Sequence, residues 1–140
     1  MLVPKKVKHR KWHSTRRNDP KNLAPDTRGT TLSFGSMGIK STSSARVKSN
    51  QIEAARKAMS RALGKTGRIW IRIFPDRPWT QKAAQVPMGK GKGDPQGYCF
   101  EVRPGRIIFE VDGVTEAVAK EALRKAGTKL PLKTRIIARQ

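Results

Sequence analysis

The chain has little cysteine, few aromatic residues and few acidic residues. Its one cysteine, Cys99, cannot form an internal disulfide, which suits a reducing cytosol. Aromatic residues make up only 6% of the sequence. No apolar run approaches the roughly 20 residues of a membrane-spanning helix, and the basic start lacks the apolar core of a signal peptide. We therefore expect a cytoplasmic protein of one small domain, with a tail appended to it.

Positive charge is what the chain has in excess. Lys and Arg total 31 against 10 Asp and Glu, which gives a formal net charge of +21. Self-repulsion of this size destabilises a compact monomer, so we expect a partner that neutralises it. Nucleic acid, above all RNA, is the first choice. An anionic membrane surface is the second, but no basic helix with a large apolar face is present to bind it.

Residues 1–29 are predicted to form a basic N-terminal arm. Three prolines interrupt this segment, and its apolar residues follow neither a helical nor a strand period for long. We expect it to be disordered alone and to become ordered on RNA, with Trp12 available to stack or anchor. A merely solvated tail is the alternative.

The periodicity of the next segment predicts two short strands and a helix. The strands are predicted over 30–34 and 39–42, separated by a turn over 35–38, and a serine-rich run is expected to lead into the helix. Asn50 is the predicted N-cap with Glu53 three residues on, and Gly64 or Gly67 is the predicted end. One helical face is apolar: Ile52, Ala55, Met59, Ala62 and Leu63. The opposite face is basic, and it is either solvated or in contact with phosphate.

Residues 68–74 alternate in the manner of a strand. Ile69, Ile71 and Ile73 are predicted to face the core. The opposite face carries arginine and aromatic residues, which either stack RNA bases or fill a second core beneath a crossing loop. A long connection is predicted over 76–96, and connections of this length in compact domains are usually functional or disordered.

The C-terminal part is predicted to contain three strands and a helix. The strand over 98–102 is expected to form a hairpin with 106–111 through the turn at Pro104-Gly105. The helix is predicted to begin at the N-cap Thr115 and to end at Gly127. Its predicted buried stripe is Val118, Ala119, Ala122, Leu123 and Ala126. The last strand is predicted over 134–138.

The run Met88-Gly89-Lys90-Gly91-Lys92-Gly93 is the most informative segment of the chain. Glycine allows positive φ and close approach to another surface, and the two lysines add compact positive charges. Such a loop suits insertion along a polyanion. A nucleotide-binding P-loop is excluded because Lys92 is followed by Gly93, Asp94 and a strand, not by Ser or Thr and a helix.

Catalytic and metal-binding chemistry has little support. The ten acidic residues are scattered, and no pair shares an identifiable loop or helix face. His9 and His13 have helical metal-ligand spacing, but the arm is cationic and lacks further ligands close in sequence. Cys99 is interpreted as a packing residue of a strand. We expect no enzyme, no metal, no cofactor and no small-molecule substrate.

Several segments carry a resemblance to a known family. They are Pro4-Lys5 with Lys8-His9-Arg10-Lys11, Phe34-Gly35 with Gly38, Gln51 to Arg56, Gly67 to Pro78 with its IWIRIFPD sequence, MGKGKG at 88–93, and Lys129 to Lys133. In this order they closely resemble the bacterial large-subunit ribosomal protein sixteen family, over nearly the whole chain. The two segments given as letters are the most specific.

The resemblance implies an α+β fold, a single compact hammerhead-like domain in which strands wrap two helices. This domain would comprise residues 30–140, including the extended 76–96 loop, behind the arm of residues 1–29. The implied function is that of a non-enzymatic constituent of the large ribosomal subunit in the cytoplasm. The implied partners are large-subunit ribosomal RNA, the A-site transfer RNA and neighbouring ribosomal proteins. A free-standing RNA chaperone and a nucleotide-handling enzyme are the rival functions.

The predicted site residues follow from charge and from the resemblance together. Those expected to bind ribosomal RNA are Lys5, Lys6, Lys8, Arg10, Lys11, Arg16, Arg17, Arg56, Arg72, Arg77, Lys82 and Lys133. Those expected to lie near transfer RNA are Met88, Gly89, Lys90, Gly91, Lys92 and Gly93.

The chain departs from the family pattern at two places. Many relatives carry arginine where this chain has Pro87, so the loop loses one positive charge, and its entry is stiffened by the fixed φ of proline. The arm is also longer than usual between Ser14 and Arg28.

Overall fold

The computed structural model describes residues 1–14 and 24–139. Seven strands and two helices lie within these ranges. The strands are β1 (Met37–Ser41), β2 (Ala45–Lys48), β3 (Arg68–Ile71), β4 (Arg77–Gln81), β5 (Asp94–Val102), β6 (Ile107–Asp112) and β7 (Thr134–Ala138). The helices are α1 (Ser49–Leu63) and α2 (Glu116–Gly127). The α+β class expected from the resemblance is confirmed.

The strands form two antiparallel sheets. The four-stranded sheet has the order β3-β6-β1-β7, and the three-stranded sheet has the order β2-β5-β4. The predicted hairpin between β5 and β6 is therefore wrong, because these strands lie in different sheets. The residues at the turn bond elsewhere: the Gly105 amide donates to the Ser41 carbonyl (2.8 Å) and the Ile107 amide to the Gly29 carbonyl (2.8 Å).

One hydrophobic core joins both sheets and both helices. Its buried members include Met37 and Ile39 of β1, Val47 of β2, Ile52, Ala55, Met59 and Leu63 of α1, Val102 of β5, Phe109 and Val111 of β6, and Ala119, Ala122, Leu123 and Ala126 of α2. Ile73 is buried in this core, and Ile69 and Ile71 pack against it, as the alternation predicted. A single shared core is what defines one compact domain.

Helix α1 has the predicted apolar face and the predicted end. Gly64 follows its last residue with φ of 68°, a conformation that suits glycine. The predicted N-cap Asn50 is wrong, since it lies inside the helix and Lys48 is the N-cap. The Gln51 side chain accepts a hydrogen bond from the Lys48 amide at 2.9 Å. The serine-rich run does not lead directly into the helix, because β2 lies between them and pairs with β5.

Helix α2 is close to its prediction. Thr115 is its N-cap and the helix ends at Gly127. Four of the five predicted stripe residues are buried, but Val118 is exposed, so its assignment to the stripe was wrong. Strand β7 has the predicted bounds and pairs with β1.

Two further predictions on strand boundaries were wrong. Strand β3 ends at Ile71, before Phe74, although the Arg72 amide still donates to the Ile108 carbonyl at 2.9 Å. The supposed long connection over 76–96 contains β4 and the start of β5, which pair from Arg77↔Cys99 to Gln81↔Asp94. Only residues 82–93 connect them, and we call this segment the hairpin loop.

The segment over 30–34, predicted as a strand, has irregular backbone, and the predicted turn over 35–38 partly belongs to β1. The physical reason is the carboxylate of Glu110, which is fully buried in β6. It accepts hydrogen bonds from the amides of Ser33 (3.1 Å), Phe34 (2.7 Å) and Gly35 (2.7 Å). These amides therefore bond to a side chain and not to a neighbouring strand.

Arg72 completes the environment of Glu110 with a salt bridge from its Nη1 to the carboxylate. Burial raises the pKa of Glu110, but the hydrogen bonds from Gly35, Ser33, Phe34 and Arg72 outweigh it, so the pKa lies below its ordinary value of 4.5. A buried carboxylate with this many donors fixes the crossing segment, residues 31–36, against the sheet.

We expect Glu110→Gln to lower the free energy of unfolding by about 3 kcal/mol, because it leaves Arg72 and several amides without an anionic acceptor. Urea denaturation of the free protein at neutral pH measures this loss. The matched control is Glu121→Gln, which removes an exposed carboxylate paired with Arg124 and should barely shift the midpoint.

Wild type and Glu110→Gln also test the pKa of Glu110. A lowered folded-state pKa stabilises the fold above pH 4.5, and this contribution is lost as the pH falls through the folded value. The stability difference between wild type and Glu110→Gln should therefore be constant at neutral pH and shrink below pH 4.5. A difference that does not change with pH would contradict the assignment.

Candidate nucleic-acid interface

The hairpin loop projects the glycine–lysine run away from the domain. Gly89, Lys90 and Gly91 have φ of 98°, 57° and 95°, three successive residues in the left-handed region. A side chain at Gly89 or Gly91 would meet nothing within 4 Å, so these glycines serve the backbone turn and not packing. Met88 at the tip is 92% exposed. The loop thus presents bare backbone and lysine charge to solvent.

The base of the hairpin loop is closed tightly. A Cβ on Gly93 would lie 2.7 Å from the Gln81 carbonyl carbon, so only glycine allows the two ends of the hairpin loop to approach this closely. The Lys82 ammonium donates to the Gly89 carbonyl across the loop. The exposed tip of the loop is therefore connected to the domain through a narrow base, which continues the β4–β5 pairing.

The described part of the arm, residues 1–14, has irregular backbone, and its residues 11–13 lie against this base. The Lys92 ammonium donates to the Trp12 carbonyl, and Lys11 donates to the Lys92 carbonyl at 3.4 Å. Arg77 Nη2 donates to the His13 carbonyl at 2.9 Å, and its guanidinium carbon lies 5.4 Å from the Trp12 ring centroid. The arm and the loop consequently form one continuous surface.

Arg77 is the residue that joins them. It is 13% exposed in its side chain and lies 3.4 Å from the Glu101 carboxylate, which also accepts from Arg46 at 2.9 Å. Its charge is thus compensated inside the domain while its remaining donors hold the arm. Arg77 therefore serves mainly to hold the arm in place, and it adds little uncompensated charge to the surface.

The cations of the arm and loop remain uncompensated. Seven exposed cations of residues 1–14 and 88–93 have no described acidic group at salt-bridge distance: Lys5, Lys6, Lys8, Arg10, Lys11, Lys90 and Lys92. Clustered exposed charge of one sign raises the local potential and attracts a polyanion. This group is the strongest candidate interface on the molecule.

The other predicted site cations have different surroundings. Arg56 bonds Glu53 through Nη2 at 2.6 Å, and this hydrogen bond lowers the pKa of Glu53. Arg72 is held by Glu110, and Lys82 by the loop backbone. Lys133 is exposed, and its own backbone amide donates to Ser43 Oγ at 2.9 Å. Arg16 and Arg17 lie outside the described residues.

Within the described ranges, the structure gives no support for metal binding, for a reactive cysteine or for a membrane-spanning helix. No group of three or more His, Cys, Asp or Glu residues there could hold a metal ion. Cys99 is buried, and burial raises the pKa of its thiol, which disfavours the reactive thiolate. Among the described helices, none is long and apolar enough to cross a membrane.

Sequence reasoning named Arg77 and Trp12 but not the link between them. The acceptors that join the arm to the hairpin are the backbone carbonyl groups of Trp12 and His13. Because every residue has such a carbonyl, the sequence does not show which one accepts a hydrogen bond. The proximity of Glu101 to Arg77 could be found only through the β4–β5 register, which places Arg77 opposite Cys99.

We expect Arg77→Gln to release the arm without unfolding the domain, because the core does not include this side chain. Cleavage by trypsin after Lys11, followed by mass spectrometry, should become several-fold faster. Arg68→Gln, a change at an exposed arginine of β3, is the matched control and should leave the rate unchanged. Equal rates in both variants would show that Arg77 does not hold the arm.

A comparison with known families covers nearly the whole chain. The family model of ribosomal protein L16p/L10e matches residues 4–137. The match runs from the arm through both sheets, both helices and the hairpin loop to the last residues of β7. It includes every segment on which the resemblance was recognised. The chain therefore belongs to the ribosomal protein L16p/L10e family, whose members are structural constituents of the large ribosomal subunit.

Proposed function

We propose that this protein binds large-subunit ribosomal RNA near the A site and that its hairpin loop contacts the A-site transfer RNA. The observation that carries the proposal is the continuous arm-and-loop surface, with seven exposed cations that no described acidic group neutralises. Phosphate contacts of this kind give affinity and register. The protein acts as a structural component in cytoplasmic ribosomes and catalyses no reaction.

The two parts of the surface have different tasks in this proposal. The arm becomes ordered along ribosomal RNA, and its cations Lys5, Lys6, Lys8, Arg10 and Lys11 neutralise phosphates, with Arg16 and Arg17 continuing the contact. Arg56, Arg72, Arg77, Lys82 and Lys133 add contacts from the domain. Of these, Arg56, Arg72 and Arg77 must share their charge between RNA and a glutamate, so we expect smaller contributions from them.

The hairpin loop, through Met88, Gly89, Lys90, Gly91, Lys92 and Gly93, is the part that reaches transfer RNA. Its bare glycine backbone allows close approach, and Lys90 and Lys92 supply charge. Pro87 stiffens its entry where relatives carry arginine. The two-sheet, two-helix domain serves as the rigid mount, in the hammerhead-like arrangement that the resemblance implies, and neighbouring ribosomal proteins contact its remaining surface.

We expect removal of residues 1–11 to weaken binding to protein-free large-subunit ribosomal RNA and to flatten its salt dependence. Five cations are lost, so the slope of log K against log salt should fall by about 4. Filter binding over a range of salt concentrations measures this. An unchanged slope would mean that the arm is merely solvated.

We expect Lys90→Ala combined with Lys92→Ala to leave the domain folded and incorporated into large subunits, but to weaken A-site transfer RNA binding several-fold. Ribosomes carrying the variant are compared with wild type for A-site occupancy. The control is Lys120→Ala with Lys125→Ala, which removes the same charge from α2, where both lysines lie near glutamates. Equal A-site binding in the two double variants would exclude the contact with transfer RNA.

A further inference from the structure

Phe34 is an exposed aromatic side chain on a segment that is firmly held. It lies in the crossing segment over the four-stranded sheet and is 56% exposed. Its ring is nearly parallel to that of Trp70, with centroids 6.1 Å apart and planes inclined by 14°. The guanidinium carbon of Arg72 lies 5.3 Å from the Phe34 ring centroid. With these two partners in place, more than half of the Phe34 surface is still open to solvent.

The position of this ring is fixed by the backbone beneath it. The amide of Phe34 and those of both neighbours donate to the buried Glu110 carboxylate, which Arg72 also holds. Trp70 pairs directly with Glu110 across β3 and β6, so ring, arginine and carboxylate form one layer on the outer side of the sheet. A group already fixed in its bound conformation loses little entropy when a ligand binds.

The surroundings of the ring indicate which ligand suits it. Arg68 is exposed on β3, the strand that carries Trp70, and Phe74 is 43% exposed beyond the end of that strand. Proteins bind unpaired RNA bases by stacking them on aromatic rings and arginine planes, with cations nearby for the phosphates. A net charge of +21 favours such a polyanion over a second copy of the chain or a cationic protein tail.

We propose that the exposed part of the Phe34 ring is a stacking site for one unpaired nucleobase of RNA. The inference rests on the proposed function, since it assumes that the protein binds RNA. It adds to the arm-and-loop surface a contact with a base, on a different part of the domain. This contact depends on the ring and not on charge, so it should be insensitive to salt.

The test compares Phe34→Leu and Phe34→Tyr with wild type on two probes. One probe is a short single-stranded oligo(A) RNA, and the other is an abasic oligomer with the same number of phosphates. Leucine keeps an apolar side chain over Trp70 but offers no ring, while tyrosine keeps the ring. Thermal unfolding of each variant shows whether it is folded.

We expect Phe34→Leu to bind oligo(A) roughly tenfold more weakly than wild type and to bind the abasic oligomer equally well. Phe34→Tyr should bind both as wild type does, and the salt slopes should be the same for all three proteins. An equal loss on both probes, or no loss on either, would overturn the stacking site. If wild type itself bound neither probe at about 0.1 M salt, the proposed RNA-binding function would fail instead.

Large subunits reconstituted with each protein provide the second measurement. Base-selective chemical modification should find a base of the ribosomal RNA that is protected with wild type and Phe34→Tyr and becomes reactive with Phe34→Leu. If reactivity does not change and the Phe34→Leu subunits lack a neighbouring ribosomal protein, Phe34 contacts protein, and the proposal is wrong.

Discussion

Charge is the constraint on which the rest of this structure depends, because 31 basic residues share 10 acidic ones. The fold places several of these acids where they hold arginines: Glu110 binds Arg72 in the interior, and Glu101 lies between Arg46 and Arg77. Acids used in this way stabilise the domain. The seven cations of the arm and the loop tip have no described acid at salt-bridge distance, and exposed domain cations such as Lys57, Arg61 and Arg135 have none either. The arm-and-loop cations differ in lying together on one continuous surface, and clustered charge of one sign favours the binding of a polyanion.

The compensated and uncompensated parts are physically joined. Arg77 has its charge matched by Glu101 and still donates to the arm, while Lys92 of the loop donates to the Trp12 carbonyl. Through these contacts the hairpin base fixes the direction in which the arm leaves the domain. In the proposed function, the arm and the loop are therefore presented to RNA in a defined relative position, although the described residues of both are irregular in backbone.

Elements governed by local periodicity could be predicted from the sequence. The apolar faces of both helices, the isoleucine face of β3 and the bounds of β7 follow from residue spacing, and each is confirmed apart from Val118 of α2. Trp70 is half-buried and lies against Phe34 of the crossing segment, but Phe74 is exposed, so these two rings do not fill the second core that was one of the two predicted alternatives. The predicted cations of residues 1–14 and 88–93 are exposed, whereas Lys82 at the base of the loop is half-buried.

Features governed by long-range bonds could not be predicted. Residues 30–34 have strand-like composition, but Glu110, more than seventy residues later, takes three amides of residues 33–35. The sequence at Gly105 is typical of a hairpin turn, but the Gly105 amide donates to the Ser41 carbonyl, and β6 pairs in the other sheet. Both errors concern which distant acceptor an amide finds. Glu110, which prevents the predicted strand from forming, also fixes the backbone of Phe34. The crossing segment is therefore both poorly predicted from the sequence and the place where an aromatic ring is held at the surface.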